Sequence, residues 1–191
     1  MVACVEKSLK EKFSTGLSGR KVVVFGATGV VGFSAAVIAA KEGARTTLVG
    51  YDGPTRVKQL AEDAKGRFQV DLAHADGSSD ALKIAALKDA EILLAAGKAG
   101  VQVASKAQLK QASALKVAAD VNAVPPAGIE GIGVQDNGVA LDGKAVGIGA
   151  LAIGAIKYKV ESGLFRKMIE TDKPLYLDFR DAFELARSLL G

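Results

Sequence analysis

The sequence predicts an α/β protein, a doubly wound, mostly parallel sheet of Rossmann type with helices on both faces. Three observations carry this expectation. Residues 22–25, Val-Val-Val-Phe, are a continuous apolar run, the mark of a strand buried on both faces of a parallel sheet. A glycine-rich turn, Gly26-Ala27-Thr28-Gly29-Val30-Val31-Gly32, follows at once and opens a helix over 30–42 that Gly43 stops. Short apolar runs then alternate with amphipathic stretches along the chain, the rhythm of successive strand–helix units.

The turn is a variant of the dinucleotide fingerprint. In the strict G-x-G-x-x-G register the first glycine is Ala27, with Gly26 one place upstream, so the pattern present is G-x-x-G-x-x-G. Glycines in such a turn remove Cβ atoms where the backbone bends sharply, where a pyrophosphate approaches, and where the helix packs on the strand. The anion then sits on free N–H groups at the helix N-terminus, favoured by the helix dipole. A strand over 46–49 follows and ends at Tyr51-Asp52, which sets an acid about 20 residues past the turn, where a ribose hydroxyl is expected. A glycine turn that only packs a helix on a sheet is the plain alternative, and the strand–turn–helix–strand context argues against it.

Before this unit, residues 2–13 read as a helix with Val2, Val5, Leu9 and Phe13 at helical spacing, and residues 14–19 as a polar turn. No Ser, Thr, Asp or Asn stands ahead of that helix as a cap, so the chain is expected to begin partway along a longer protein. After Gly53-Pro54, residues 55–65 form a helix with Val57, Leu60, Ala61 and Ala64 inward, and residues 68–72 a third strand. A helix over 78–89 and a strand over 91–95 lead to Ala96-Gly97-Lys98-Ala99-Gly100. Its glycines stand at a strand's carboxyl end, where a doubly wound sheet keeps its ligand crevice.

A short helix over 105–111 and a fifth strand over 115–119 precede a loop, 120–128, stiffened by Pro125 and Pro126. In that loop Asn122 offers amide hydrogen bonds at the crevice or serves only as a turn residue. A strand over 145–148 is followed by a long helix over 150–170, with Ile153, Ile156, Val160, Leu164 and Met168 on one face. Asp178 caps a last helix over 179–190. The organisation expected is a connecting helix and turn over 1–19, a dinucleotide-binding domain over 20–149, and C-terminal helices over 150–191.

Composition bounds the function. With 191 residues, 49% of them hydrophobic, the chain buries a full core. The longest apolar stretch, 145–156, is closed by Lys144 and Lys157 and is shorter than the roughly 20 residues of a membrane-spanning helix. The net charge of +4 comes from basic residues scattered among acids, and aromatic residues are 5% of the chain, so neither a basic block nor a base-stacking surface for nucleic acid is present. His74 has no second histidine and no cysteine cluster beside it, so no metal site is expected. The single cysteine, Cys4, fits a reducing cytoplasm.

Four stretches together, FGATGVVG, TTLVGYDG, DVNAVPPAGIEGI and VGIGALAIGAIKYK, resemble the bacterial methylene-tetrahydromethanopterin dehydrogenases, in wording closest to the form that accepts both NAD and NADP. The likeness spans essentially the whole chain. It implies hydride transfer from the methylene bridge of a reduced pterin to C4 of a nicotinamide, leaving a methenyl cation, in one-carbon metabolism. Adjacent pterin nitrogens stabilise that cation, so no side chain has to remove a proton. The resemblance implies that an additional N-terminal domain forms much of the pterin pocket. The faces of Val2-Val5-Leu9 and Phe183-Leu185-Leu189 would then need a cover from outside this chain. A homo-oligomer is expected.

The glycine pattern, the strand ends and the resemblance together assign the site residues. Gly26, Ala27, Thr28, Gly29, Val30, Val31 and Gly32 hold the cofactor's phosphates, with Ala96, Gly97 and Asn122 across the crevice. Members strict for NADP have an arginine where this chain has Tyr51. Asp52 beside it favours the bare ribose of NAD, and Arg56 and Lys58 are close enough in sequence to receive the 2′-phosphate of NADP. Lys157 matches a lysine proposed to act at the active site, where it binds an anionic or carbonyl part of the pterin; the alternative is a plain surface lysine. Two other function classes stay open. A non-catalytic dinucleotide sensor needs only the same turn. A short-chain oxidoreductase would carry Tyr-x-x-x-Lys, and Tyr51, Tyr158 and Tyr176 are followed four residues on by Thr55, Ser162 and Arg180.

Overall fold

The computed structural model describes residues 1–141 and 143–191. The elements run α1 (Val2–Phe13), β1 (Lys21–Phe25), α2 (Val30–Lys41), β2 (Arg45–Gly50), α3 (Thr55–Phe68), β3 (Ala73–Asp76), α4 (Asp80–Leu87), β4 (Ile92–Ala95), α5 (Lys106–Leu109), β5 (Val117–Asp120), β6 (Asn137–Ala140), β7 (Val146–Ile148), α6 (Ala150–Ile169) and α7 (Phe179–Leu190). The strands form one seven-stranded sheet in the order β3-β2-β1-β4-β5-β7-β6, parallel except for the β6–β7 pair. Pairing on both edges explains why β1 is apolar throughout: Val22 to Phe25 are hydrogen-bonded to β2 on one side and β4 on the other, and both faces are covered. Alternate residues feed two cores. Val22, Val24, Leu48, Ile92 and Leu94 join α1 and α2 on one face, while Val23, Phe25, Val49, Leu93 and Ala95 join Leu87 and Ile129 on the other.

Two strands differ from the sequence reading. The third strand is Ala73–Asp76, not 68–72. The helix before it runs on to Phe68, whose ring packs between Phe33 and Phe179 at centroid distances of 6.1 and 5.4 Å, and Gln69 ends it in the left-handed conformation (φ 54°). Val70 and Leu72 are buried in the connection. Tertiary packing therefore takes the apolar run, and the polar segment Ala-His-Ala-Asp becomes the partly exposed edge strand. The edge strand β6 is likewise exposed, and bulged between Asn137 and Val139, so it carries no period-2 signal.

The terminal helices cover each other. Val2, Val5 and Leu9 of α1 are buried beneath α7 and against β5, and Phe183 of α7 is buried too. The Arg187 guanidinium lies 4.3 Å from the centre of the Phe183 ring, donates to Glu6 Oε2 at 2.9 Å, and pairs with Glu42. Val2, Val5, Leu9 and Phe183 thus find cover within the chain, contrary to the expectation of an outside one, whereas Leu185 is half-buried and Leu189 is 46% exposed. Met168, placed by its spacing on the inner face of α6, is 48% exposed; only Ile153 and Val160 of that set are fully buried.

At the amino ends of the strands, Glu91 ties three of them together. Its carboxylate accepts from Arg20 Nη1 (2.8 Å), Lys116 Nζ (2.8 Å) and the Lys21 backbone N–H (3.1 Å). Burial alone would raise its pKa, but these donors outweigh burial and hold it at about 2.

Candidate functional site

The strand order reverses at β1. Its connection through α2 leads outward to β2 and β3, and the chain then crosses back to β4 on the other side. Loops leaving the carboxyl ends of β1 and β4 therefore part at this point and leave a crevice, the place where open α/β sheets take ligands. The glycine turn follows β1 and Ala96-Gly97 follows β4, so the topology brings these two predicted groups face to face.

Each of the three turn glycines meets a different demand. Gly26 has φ 74°, and a Cβ there would collide with the carbonyl of Ala96 and with the nitrogen of Gly97. Gly32 packs α2 onto the turn, since a Cβ would collide with the Gly26 carbonyl and lie 3.0 Å from the Ala27 Cα. Gly29 has neither constraint: φ is −85°, and an added Cβ would meet only the Gly26 oxygen, at 3.5 Å, an ordinary contact. The fold needs glycine at 26 and 32. At 29 it leaves open space at the start of α2.

The same end of α2 has no side-chain cap and no acid in its first turn. Its first N–H groups thus lack the side-chain acceptor most helices supply. Val30 and Val31 stand exposed there, at 84% and 52%, while Ala27 is buried and Thr28 half-buried. An anion at this position receives main-chain donors and the helix dipole without needing a basic side chain.

Tyr51 and Asp52 follow β2 at the same edge. Tyr51 is largely exposed, and Asp52 Oδ2 pairs with Arg56 Nη1 at 3.3 Å across one turn of helix. The turn is tight because Gly50 lies directly against the Gly53 carbonyl, with no room for a Cβ. Asp76, at the carboxyl end of β3, was not singled out by its sequence. Its pKa is lowered by hydrogen bonds from Ser78, side chain and backbone, and the Ser78 N–H lies 2.8 Å from Oδ1.

On the far side of the crevice a second loop is held by two buried side chains. Asp120 Oδ1 accepts from the Asn122 N–H and Oδ2 from the Ile129 N–H, both at 2.9 Å. Asn122 Oδ1 accepts from the N–H groups of Gly100 (3.2 Å) and Val124 (3.0 Å), and its Nδ2 donates to the Pro126 carbonyl at 2.8 Å. Asn122 thus ties the loop after β4 to the loop after β5, with its amide engaged by protein at both ends. Asp120 was missed in the sequence; an acid closing an apolar strand just before a Pro-rich loop was the available signal.

Lys157 sits on α6, eight residues into the helix and thus about 12 Å from its start. Its side chain is 70% exposed and pairs with Glu161 at 3.0 Å. None of its ion pairs reaches the glycine turn. Among the described residues no group of three His, Cys, Asp or Glu side chains is placed to hold a metal ion, and His74 lies on the exposed edge strand. No helix among them is long and apolar enough to cross a membrane. A cavity of about 690 Å³ among Lys106, Lys110, Leu115 and Lys144 lies at the amino ends of β5 and β7, the opposite end of the sheet from the crevice.

No protein-family model matches the chain. It is 51% identical over 192 aligned positions, all of its length, to the NAD(P)-dependent methylenetetrahydromethanopterin dehydrogenase of Methylorubrum extorquens, and spans 65% of that protein. It is 32% identical over 91% of its length to the bifunctional protein MdtA of the same organism, of which it spans 59%. Among solved structures, a transhydrogenase from Sinorhizobium meliloti superposes over 98% of this chain and 52% of its own, with a TM-score of 0.60 at 16% identity, a likeness of fold. Along its whole length the chain is similar to the NAD(P)-dependent methylenetetrahydromethanopterin dehydrogenase, and it spans less than two thirds of the length of either curated relative.

Proposed function

We propose that this chain is the dinucleotide-binding part of an NAD(P)-dependent dehydrogenase that oxidises 5,10-methylene-tetrahydromethanopterin to its 5,10-methenyl form, in cytoplasmic one-carbon metabolism. The observation that carries the dinucleotide is Gly29: of the three turn glycines it alone is not required by packing, and its missing Cβ opens the uncapped start of α2. The substrate is inferred from the relative at 51% identity.

In this reading the main chain of Gly26, Ala27, Thr28, Gly29, Val30, Val31 and Gly32 cradles the pyrophosphate. Asp52 accepts from the adenosine ribose of NAD. For NADP, Arg56 leaves Asp52 and forks onto the 2′-phosphate, so the exposed ion pair serves both cofactors. Ala96 and Gly97 bring the loop after β4 to the crevice, and Asn122 holds it in register with the loop after β5. Bound there, a nicotinamide would supply the hydride acceptor, and the lone pairs that the neighbouring pterin nitrogens already hold would spread the positive charge left on the oxidised carbon. The chain's own contribution is position: rigid loops at two strand ends hold one reactant, and Lys157 orients an anionic or carbonyl part of the other. The working protein is a homo-oligomer.

Calorimetric titration with NAD and NADP tests the site. Both are expected to bind, and Gly29→Val is expected to weaken both at least about tenfold, ~1.4 kcal/mol, with circular dichroism unchanged. Undiminished affinity in the folded variant would remove this turn from consideration. Nicotinamide absorbance with the methylene pterin tests the reaction. Because the 191 residues span 65% of the relative's length, turnover slower than that relative's is expected from them alone.

A further inference from the structure

We infer that the cavity at the amino ends of β5 and β7 is a second ligand site, separate from the crevice, and that it takes a small organic phosphate, a doubly negative group on an apolar body. Its volume of about 690 Å³ is that of a small-molecule site. The floor is an edge of the second core. Ala112, Leu115 and Ala145 are buried there, while Leu109 and Leu141 pack against that core and stay partly uncovered. Three lysines stand at the rim, Lys106 and Lys110 on α5 and Lys144 in the segment before β7, and all three are exposed.

The charges at that rim do not balance. Among the described lining residues three ammonium groups meet one carboxylate, Glu130, an excess of two positive charges. Glu130 pairs with none of them. Its Oε2 accepts from the Lys106 backbone N–H at 2.9 Å and from Gln102 Nε2 at 3.4 Å, and no described carboxylate forms an ion pair with any of the three lysines. Lys106 and Lys110 are also one helical turn apart, where like charges repel. A bound dianion offsets that repulsion. Three solvated lysines are the plain alternative, and the packing of Lys106 argues against it. Its stem lies across Gly131, where an added Cβ would stand 2.9 Å from Cε and 3.9 Å from Nζ, so this ammonium is held beside the cavity wall. Phosphate suits the set better than a carboxylate, because lysine ammoniums are point charges without the planar fork that matches a carboxylate. A phosphate ester is close to doubly charged at neutral pH. The two half-covered leucines favour an ester over inorganic phosphate, since its apolar body shields them from water.

Phenyl phosphate is the probe, with inorganic phosphate and phenol as its two halves. Amide NMR shifts of the isotope-labelled chain read the two sites separately, the cavity at Ser113, Gly131 and Lys144 and the glycine turn at Gly29 and Val30. The dinucleotide reading is therefore judged by its own signals, with NAD, whatever happens at the cavity. Dose-dependent shifts of the cavity amides are expected with phenyl phosphate, with a Kd on the order of 1 mM for a ligand of this size. Each half alone is expected to bind more weakly than the whole. Replacing both α5 lysines, Lys106→Gln with Lys110→Gln, is expected to weaken binding about tenfold at low salt, in a chain whose spectrum shows it folded. Shifts confined to Gly29 and Val30, undiminished affinity in the folded double variant, or inorganic phosphate bound as tightly as phenyl phosphate would overturn the proposal.

Discussion

Replacing Glu91 by Gln isolates what the amino ends of the strands contribute to stability. Glu91 begins the approach to β4, and its carboxylate receives Arg20, Lys116 and the Lys21 N–H, so it joins β1, β4 and β5. Its side chain is 14% exposed, and solvent screens the cluster only partly. The folded pKa of about 2 lies below the ordinary 4.5, because the three donors outweigh burial. A carboxylate depressed in this way stabilises the fold above pH 4.5, and that contribution fades as pH falls from 4.5 through 2. The gap corresponds to about 3 kcal/mol near neutral pH, with about 1.4 kcal/mol of it gone by pH 3.5. Glu91→Gln should therefore lower stability by about 3 kcal/mol at pH 7, or about 6–12 °C in Tm for a chain of this size. Urea unfolding of both proteins from pH 7 to pH 3.5 measures the difference. It should shrink by about half across that range, while affinity for NAD, whose proposed site is at the opposite end of the sheet, is unchanged. A difference that does not vary with pH would refute the reasoning, since the loss would then be one of packing alone.

Other substitutions separate packing from binding. Gly32→Ala forces a Cβ against the Gly26 carbonyl and is expected to cost about 1–3 kcal/mol in chemical denaturation, in contrast to Gly29→Val, which should spare the fold. Tyr51→Arg supplies a guanidinium at the end of β2 and should shift the ratio of NADP to NAD affinity toward NADP by about 1–3 kcal/mol; an unmoved ratio in calorimetry would direct attention to Arg56. Asp120→Asn loses one of the two N–H acceptors that close the loop over 120–129 and should cost about 1–3 kcal/mol. Hydrogen exchange at Asn122 and Ile129 should speed up accordingly.

Much of this protein is written locally. The β1 run of Val22 to Phe25, the glycine turn and the helix after it are recognisable because burial on both faces, a positive φ at Gly26 and close packing at Gly32 each impose a residue type within a few positions. Asp178 is legible for the same reason, since a cap acts on its own helix. The tertiary structure decided what depends on distant partners. Val70 and Leu72 look like strand and are core beneath a turn, whereas the polar Ala73–Asp76 pairs only because Thr47 to Gly50 offer a free edge. Asp120 and Asn122 read as loop residues until their hydrogen bonds to Ile129, Gly100 and Pro126 close. The apolar residues of α1 and α6 are equally periodic. The set in α1 is buried beneath α7 and against β5, whereas of the set in α6 Ile153 and Val160 are buried and Met168 is 48% exposed, a difference made by the path of the chain and not by either helix's own sequence.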